Sequence, residues 1–467
     1  MKKIVVFTYE FTYSPFSGNG ILARSLVKSL LGLGCTVTVW CCRPPQEEYG
    51  TNNLSGDNHL TQPEISEDSM ERLELVSNIV SGSAWRRVDD QSCWRDFTMS
   101  NLLLLNAETA RRLNTAILDA DALCIIDWSG AFAYRSILQQ QSIDAKGVVS
   151  KFNLYLNFRV FSLGVNDLKA QKFYDEMELK AMKNANVVVS LSSRDSHHLS
   201  TILLKDEEKT AINQKSRIPV EIVLPPLRQD MEIFAKGRNN AKDYLLYLPD
   251  CIRSQIEMRR TSIDATVSNR LFIDRPIIAC VARLSPEKCI QRFVKFIEMA
   301  TDVLEELNLT VVLAGAASDI HYARKTRERL LKAYPSTIII DRFLSSNELG
   351  AVFAHTSLNF HPSFYDAYGM TIVEAAALGA PTVLAGPSVG AFRLLGDDGC
   401  LRVAMDDTDE NTFSKSSLET IVNFLRGSQK NETFWNQIST VARAKAIAWD
   451  ERSYGERMLQ IIDNLAR

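Results

Sequence analysis

The chain reads as an α/β protein with two doubly wound parallel sheets. Three observations carry that reading. Short continuous apolar runs such as Ile4-Val5-Val6-Phe7 and Ile277-Ile278-Ala279-Cys280-Val281 have the pattern of strands buried on both faces. Between such runs apolar residues recur at helical spacing, as in Ile21, Leu22, Leu26, Val27, Leu30 and Leu33. The alternation runs once from the start and begins again at Pro276, after a charged, irregular stretch. A length of 467 residues, at about 150 per domain, allows two or three domains.

In the first half, the run 4–7 predicts a strand, and Tyr13 to Gly20 a loop carrying Pro15, Gly18 and Gly20. The helix that follows stops at Gly34, and Thr36-Val37-Thr38-Val39-Trp40 predicts the second strand. Residues 43–100 are polar, with Pro44-Pro45, Asn52-Asn53 and Gly56, and read as a loop or insertion. A helix is expected near 101–118, then strands at 122–126, ending at Asp127, and at Val148-Val149, ending near Asn153. A helix over 167–184, a strand over 187–191 and a strand over 220–224, closed by Pro225-Pro226, complete this half.

Residues 228–270 are charged, with weak helical character. The second series is expected as strand 277–282, helix 286–300, strand 310–314, helix 319–333, strand 337–341, helix 346–355 and strand 357–360. A helix near Thr371, a strand over 382–384 and terminal helices follow. The domains expected are 1–268, with the insertion 43–100, then 269–446, then 447–467 as a helix crossing back to the first domain.

Composition narrows the function class. Hydrophobic residues make up 46% and charged residues 23%, as in an ordinary globular protein. Lys plus Arg number 53 against 56 Asp plus Glu, so the basic excess of a protein that coats nucleic acid is missing. The first apolar run is too short for a signal-peptide core, and no run reaches the ~18 residues of a membrane helix. The nine cysteines are scattered without a C-x-x-C pair, which suits reduced thiols and a cytoplasmic setting.

In doubly wound sheets ligands sit beyond the carboxyl ends of the strands, so the loops there hold the candidate residues. Ser17-Gly18-Asn19-Gly20 opens a helix and lets backbone approach a ligand, or is a plain tight turn. A dinucleotide site would want an acid after the second strand, where Trp40-Cys41-Cys42-Arg43 stands instead. Arg283 and Lys288, flanking Leu284-Ser285-Pro286-Glu287, suit a diphosphate, although such pairs also occur on solvated surfaces. The third loop runs from His361 through Asp366, Tyr368 and Gly369 to Met370, Thr371 and Glu374, where a helix begins. Free amides at that helix start suit phosphate, and the carboxylates suit sugar or ribose hydroxyls. Thr371-x-x-Glu374 also reads as a capping box, Asp366 as a turn former and His361 as a packing residue.

Together these residues resemble the donor domain of the family 4 retaining glycosyltransferases, which have the GT-B fold of two Rossmann-like domains facing a central cleft. Arg283 to Lys288 matches the family's R-x4-K run, and Asp366 to Glu374 its E-x7-E run, with Asp in the first position. Gly369 and Glu374-Ala375 through Gly379-Ala380-Pro381 match its G-x4-E-A-x3-G-x-P run. The likeness is specific over about 276–390, and looser at Gly18 and Gly20 and at Ala448-Trp449-Asp450. It implies a retaining, metal-independent hexosyltransferase that uses a UDP- or GDP-linked sugar and needs no cofactor. Arg283 and Lys288 would neutralise the leaving diphosphate, and Asp366 would contact sugar hydroxyls, making these three the catalytic set. Tyr368, Gly369, Met370 and Thr371 would line the donor, with backbone amides presented by the last three, and Glu374 would hold the ribose. The base would lie near Gly315 and Arg342-Phe343-Leu344, and Gly18 and Gly20 would approach the diphosphate.

Two departures from the family pattern stand out. The first motif acid is the shorter Asp366, and the usual first-domain His is missing from Ser150 to Arg159. Lys151, Asn153 and Asp127 are the candidates for its place, while His197 and His198 read as helix residues of surface or core. A non-catalytic sugar-nucleotide-binding relative is the rival reading. The acceptor is not legible: Trp85-Arg86-Arg87 and Trp94-Arg95 could touch a membrane or RNA, but Asp89, Asp90 and Asp96 dilute that charge. No stable membrane insertion is expected.

Overall fold

The structure is a computed structural model that describes residues 1–11, 18–43, 67–79, 107–140, 151–165, 167–210, 218–237, 241–262, 274–384, 388–404, 413–430 and 432–465. The chain divides into two compact units, Met1–Pro226 with Glu451–Arg467, and Leu227–Asp450.

Unit 1 begins with β1 (Lys3–Phe7), α1 (Gly18–Gly32), β2 (Thr36–Arg43), α2 (Glu67–Met70), β3 (Leu73–Ile79) and α3 (Ala107–Asp119). It continues with β4 (Ala122–Ile126), α4 (Asp127–Gln140), β5 (Phe152–Leu156), α5 (Leu168–Met182), β6 (Val187–Ser190), α6 (Ser193–Thr210) and β7 (Val220–Ile222). The strands form one parallel sheet in the order β3-β2-β1-β4-β5-β6-β7. Every residue of β4 and β5 is buried, the reason their runs lack polar alternation. Val5, Phe7, Trp40, Leu123, Trp128 and Tyr155 share one apolar core.

Unit 2 opens with α7 (Gln229–Lys236), a 3-10 turn (Ala241–Tyr247) and α8 (Asp250–Ser262). Then come β8 (Ile277–Val281), a 3-10 turn (Pro286–Lys288), α9 (Ile290–Glu306), β9 (Thr310–Ala314), α10 (Ile320–Ala333), β10 (Ile338–Ile340) and α11 (Ser346–Ala354). The rest is β11 (Thr356–Phe360), α12 (Met370–Ala377), β12 (Thr382–Leu384), α13 (Phe392–Leu395), β13 (Leu401–Arg402), α14 (Lys415–Lys430) and α15 (Glu432–Ala448). Its parallel sheet has the order β10-β9-β8-β11-β12-β13. Phe296 stacks on Phe360 with ring centroids 5.1 Å apart, locking α9 onto β11.

The last helix, α16 (Glu451–Leu465), belongs to unit 1 and packs on α1. Gly455 permits the contact, since a Cβ there would lie 2.7 Å from Ser29 Cβ. Ser25 donates to Glu451 Oε1 at 2.8 Å, and Lys28 stands 3.5 Å from Oε2.

Five sequence expectations are corrected. The stretch 43–100 is not all loop, because β3 pairs with β2 from Val37↔Leu73 to Arg43↔Ile79. Residues 228–270 are not irregular throughout, and they belong with unit 2: Phe234 of α7 packs so tightly under α11 that a Cβ on Gly350 would meet its ring at 2.4 Å. The unit boundary therefore falls at 226/227 rather than 268/269, and the return to unit 1 at 450/451 rather than 446/447. The strand expected at 148–153 is β5 at 152–156, so Asn153 lies inside a strand. Gly18 and Gly20 sit in the first turn of α1, not in a loop ahead of it. Residues 85–96 and Ser150 lie outside the described residues.

Candidate functional site

In unit 2 the strand order reverses between β8 and β11, so the loops after these two strands diverge and leave room for a ligand. The β8 loop is pinned by Ala282 N–H to Ala314 O at 3.0 Å and Leu284 N–H to Ala316 O at 3.0 Å. Gly315 makes this possible: its φ is +152°, and a Cβ would sit 2.0 Å from Ala282 O. Arg283 pairs with Glu287 at 2.9 Å. Lys288, ending the 3-10 turn, places Nζ 2.5 Å from Asp366 Oδ2 in the β11 loop.

The β11 loop is held from behind by the segment 389–391. Gly390 N–H donates to Asp366 O at 3.1 Å and Ala391 N–H to Tyr368 O at 2.7 Å. Burial pushes the Asp366 carboxyl up, but Lys288 and His361 override it and hold the group well below the usual range. Gly369, at φ +85°, is the residue before α12 and brings no side-chain cap. The first amides of α12 therefore stay open to an anion. Tyr368 is buried with its hydroxyl unpartnered, and burial first, then Glu374, keeps that hydroxyl protonated.

Glu374 does not form the expected capping box. The helix begins two residues earlier than that reading needs, and Glu374 is 4% exposed inside it. The structure thus brings Lys288, Asp366, Tyr368, Gly369, Met370, Thr371 and Glu374 into one loop–helix corner, with Arg283 on the adjoining β8 loop. Gly315 supports that corner through packing. Phe343, 56% exposed, and Leu344 follow the edge strand β10, two strands from β8. There Arg342 grips Glu348 at 2.8 Å, which with Ser345 forms a capping box for α11. Gly18 and Gly20 belong to unit 1.

Comparison with known proteins follows this geometry. Residues 265–414 match the family Glycosyl transferases group 1. The matched segment lies within unit 2. No curated sequence matches the chain. Among solved structures, the α,α-trehalose 6-phosphate synthase of Burkholderia multivorans superposes with a TM-score of 0.66 at 14% identity, over 100% of this chain and 99% of that one. The starch synthase IV catalytic domain of Arabidopsis thaliana, bound to ADP and acarbose, gives 0.63 at 15% identity, over 100% of this chain and 99% of that one. Anabaena HepE in complex with UDP and glucose gives 0.59 at 10% identity, over 99% of this chain and 100% of that one. The fold is GT-B.

Three residues at the corner escaped the sequence reading. His361, expected to pack, is 3% exposed, yet its Nε2 also lies 3.5 Å from Asp366 Oδ2. Arg292, 1% exposed in the first turn of α9, donates to Pro362 O at 3.2 Å and so anchors the start of the β11 loop. Arg228 reaches Glu374 with Nε 3.0 Å from Oε1. The HP motif at 361–362, directly before the acid loop, was a usable signal for His361; nothing local marks the other two.

In unit 1 the switch point lies between β1 and β4, and Asp127 occupies it at φ +60°, 2% exposed. Burial pushes its carboxyl up to about 7, against the pull of the Trp128 amide and Arg159. Glu178, fully buried, takes the Tyr155 hydroxyl at 2.6 Å and is raised by burial and by Asp127. Lys151 and Asn153 do not share that end of the sheet. They sit at the start of β5, where Lys151 donates to Ala120 O at 2.8 Å and Asn153 to Asn184 O at 3.0 Å. His198 is a structural partner of Asp175 at 2.9 Å and Ser162 at 3.1 Å.

Among the described residues no helix is long and apolar enough to cross a membrane. Eight of the nine cysteines are described, and none of these eight is in a disulfide.

Proposed function

We propose that the chain transfers a glycosyl group from a nucleoside diphosphate sugar, UDP- or GDP-linked, with retention of configuration and without a metal. The observation that carries this is the Lys288–Asp366 pair beside the uncapped start of α12. That corner offers fixed positive charge and fixed carboxylate to the two ends of one ligand.

As the sugar–phosphate bond breaks, negative charge grows on the leaving diphosphate. Arg283, Lys288 and the amides of Gly369, Met370 and Thr371 stabilise it in place, with no reorganisation at the moment of reaction. An ammonium carries three donors; one meets Asp366, and others serve phosphate. Asp366, held ionised, accepts from the sugar hydroxyls, and Glu374 accepts from the ribose. The base lies toward Gly315, Phe343 and Leu344. Gly18, Gly20 and the acceptor side belong to unit 1, where Asp127 takes the position open in the first-domain pattern. A cytoplasmic setting suits the free thiols.

The second reading, a donor-binding relative without turnover, is favoured by the short Asp366 side chain being tied to Lys288. Incubating the purified chain with UDP-, ADP- and GDP-sugars and following nucleotide release tests both. Slow nucleotide release that vanishes in Asp366→Ala supports the transferase. Donor binding without release across a broad acceptor panel supports the second reading. Binding of no sugar nucleotide overturns both.

A further inference from the structure

Glu374 is a carboxylate inside a helix, 4% exposed, with no capping duty. A charge so placed is costly unless it is paired. Its partner comes from outside the matched family segment. Arg228 caps α7 at φ −59°, ψ 140°, and its Nε stands 3.0 Å from Glu374 Oε1. The guanidinium is itself fixed: Nη2 donates to Ser346 Oγ at 3.3 Å, Nε lies 3.4 Å from Asp230 Oδ1, and Ser346 in turn donates to Asp230. Asp230 Oδ1 also caps the Met231 amide at 2.9 Å. The arginine therefore ties α7, α11 and α12 together and meets Glu374 through its Nε edge.

We infer that Arg228 is a positioning residue for the donor's ribose, holding the Glu374 carboxylate charged and aimed so that the ribose hydroxyls can donate to it. The inference rests on the donor reading above. Burial drives the Glu374 carboxyl up on balance, and Arg228, opposed by Asp230, draws it back toward the charged form. A carboxylate accepts from both hydroxyls of a cis-diol, whereas a protonated carboxyl spends one oxygen as a donor. Glutamine at 228 keeps the length and polarity of the side chain and removes the charge.

The test titrates the full chain with UDP, ADP and GDP, then with the 2′,3′-dideoxy form of whichever binds. The wild type is expected to prefer the ribose form by about tenfold, the scale of one hydrogen bond to a charged group. Arg228→Gln is expected to lose about tenfold for the ribose form and little for the dideoxy form, abolishing the preference. Glu374→Gln should behave alike, and the double variant should lose no more than either single one. Arg228→Lys, which keeps the charge but not the planar edge, should restore part of the preference. An Arg228→Gln protein that weakens for both nucleotides equally, or for neither, overturns the inference. Should Arg228→Gln fail to fold, an undiminished preference in Arg228→Lys overturns it as well. A wild type that binds no nucleotide overturns the donor reading instead. A wild type that binds both forms equally removes the ribose role of Glu374 and, with it, that of Arg228.

Discussion

Lys288 Nζ stands 2.5 Å from Asp366 Oδ2, with the two side chains 18% and 17% exposed. The pair joins the β8 loop to the β11 loop across the point where the strand order reverses. One contact thus fixes the separation of the cation that would meet phosphate and the acid that would meet sugar.

Removing the cation has two consequences that separate by pH. Lys288→Ala is expected to weaken sugar-nucleotide binding by about 2 kcal/mol, roughly thirtyfold, from the loss of a charged hydrogen bond. It also leaves the Asp366 carboxylate without its main partner, which lowers stability. Asp366 is depressed in the folded state, so the stability of the pair is present above the unfolded value and is lost as pH falls. The Tm gap between wild type and Lys288→Ala should be widest near neutral pH and shrink below about pH 4. Binding titrations and melting curves check both parts; unchanged donor affinity in the variant would remove Lys288 from the donor site.

Two glycines carry backbone demands of unequal severity. Alanine at Gly315 would put Cβ 2.0 Å from Ala282 O, a backbone atom that cannot turn aside. Alanine at Gly369 would meet Ile372 Cδ1 at 2.4 Å, the far end of a side chain that can rotate, at φ +85°. Gly369→Ala should cost about 1–3 kcal/mol, the strain of a left-handed non-glycine residue. Gly315→Ala should cost more and depress expression or Tm more. Chemical denaturation orders the two, and equal losses would contradict this account.

How much of this was legible beforehand depended on where the signal was local. The strands at Thr310–Ala314 and Thr382–Leu384 coincide with the apolar runs that predict them, because all their residues are buried. Asn153 breaks the run of β5, so Phe152-Asn153-Leu154-Tyr155-Leu156 reads as the end of a strand rather than its start. The edge strand β3 is masked by its polar setting: Glu74 faces Arg112 and Thr38 instead of the core. At the site, Arg283 and Lys288 share one short segment, and Asp366, Gly369 and Glu374 share another that runs into α12, so their spacing is legible. The capping box at Thr371 was misread because Gly369, at φ +85°, starts the helix earlier. Arg228 and Arg292 meet the site only through the fold, so their sequence neighbours say nothing of it.

Asp127 and Glu178 predict an alkaline weakness in unit 1. Burial raises both carboxyls, Asp127 to about 7, and the charge of Asp127 adds to the rise at Glu178. A raised carboxyl favours the folded state while it is protonated. The contribution is whole below the unfolded value near pH 4 and fades as pH rises through about 7. Asp127→Asn removes one buried charge and should flatten that fall. The Tm of the variant relative to wild type should rise from pH 5 to about pH 7 and level off above it. A gap constant with pH would show that Asp127 is already ionised throughout.

Glu451 shows how the last helix is fixed to the first. Its carboxylate takes Ser25 Oγ at 2.8 Å and faces Lys28 at 3.5 Å, with the lysine and glutamate side chains 10% and 11% exposed. Glu451→Ala removes the acceptor of the buried Ser25 hydroxyl and an ion-pair partner of Lys28, and is expected to cost about 2 kcal/mol. Gly455 offers an independent check, since its missing Cβ is what lets α16 approach Ser29 and Leu33. Gly455→Leu should wedge the helices apart at a cost of about 1–3 kcal/mol, the usual range for overpacking. The two losses arise on one helix pair from different causes, one electrostatic and one steric. High salt should therefore narrow the Glu451→Ala gap a little and leave the Gly455→Leu gap unchanged. Melting curves at low and high salt decide it, and identical salt responses would mean that the ion pair contributes nothing to the docking of α16.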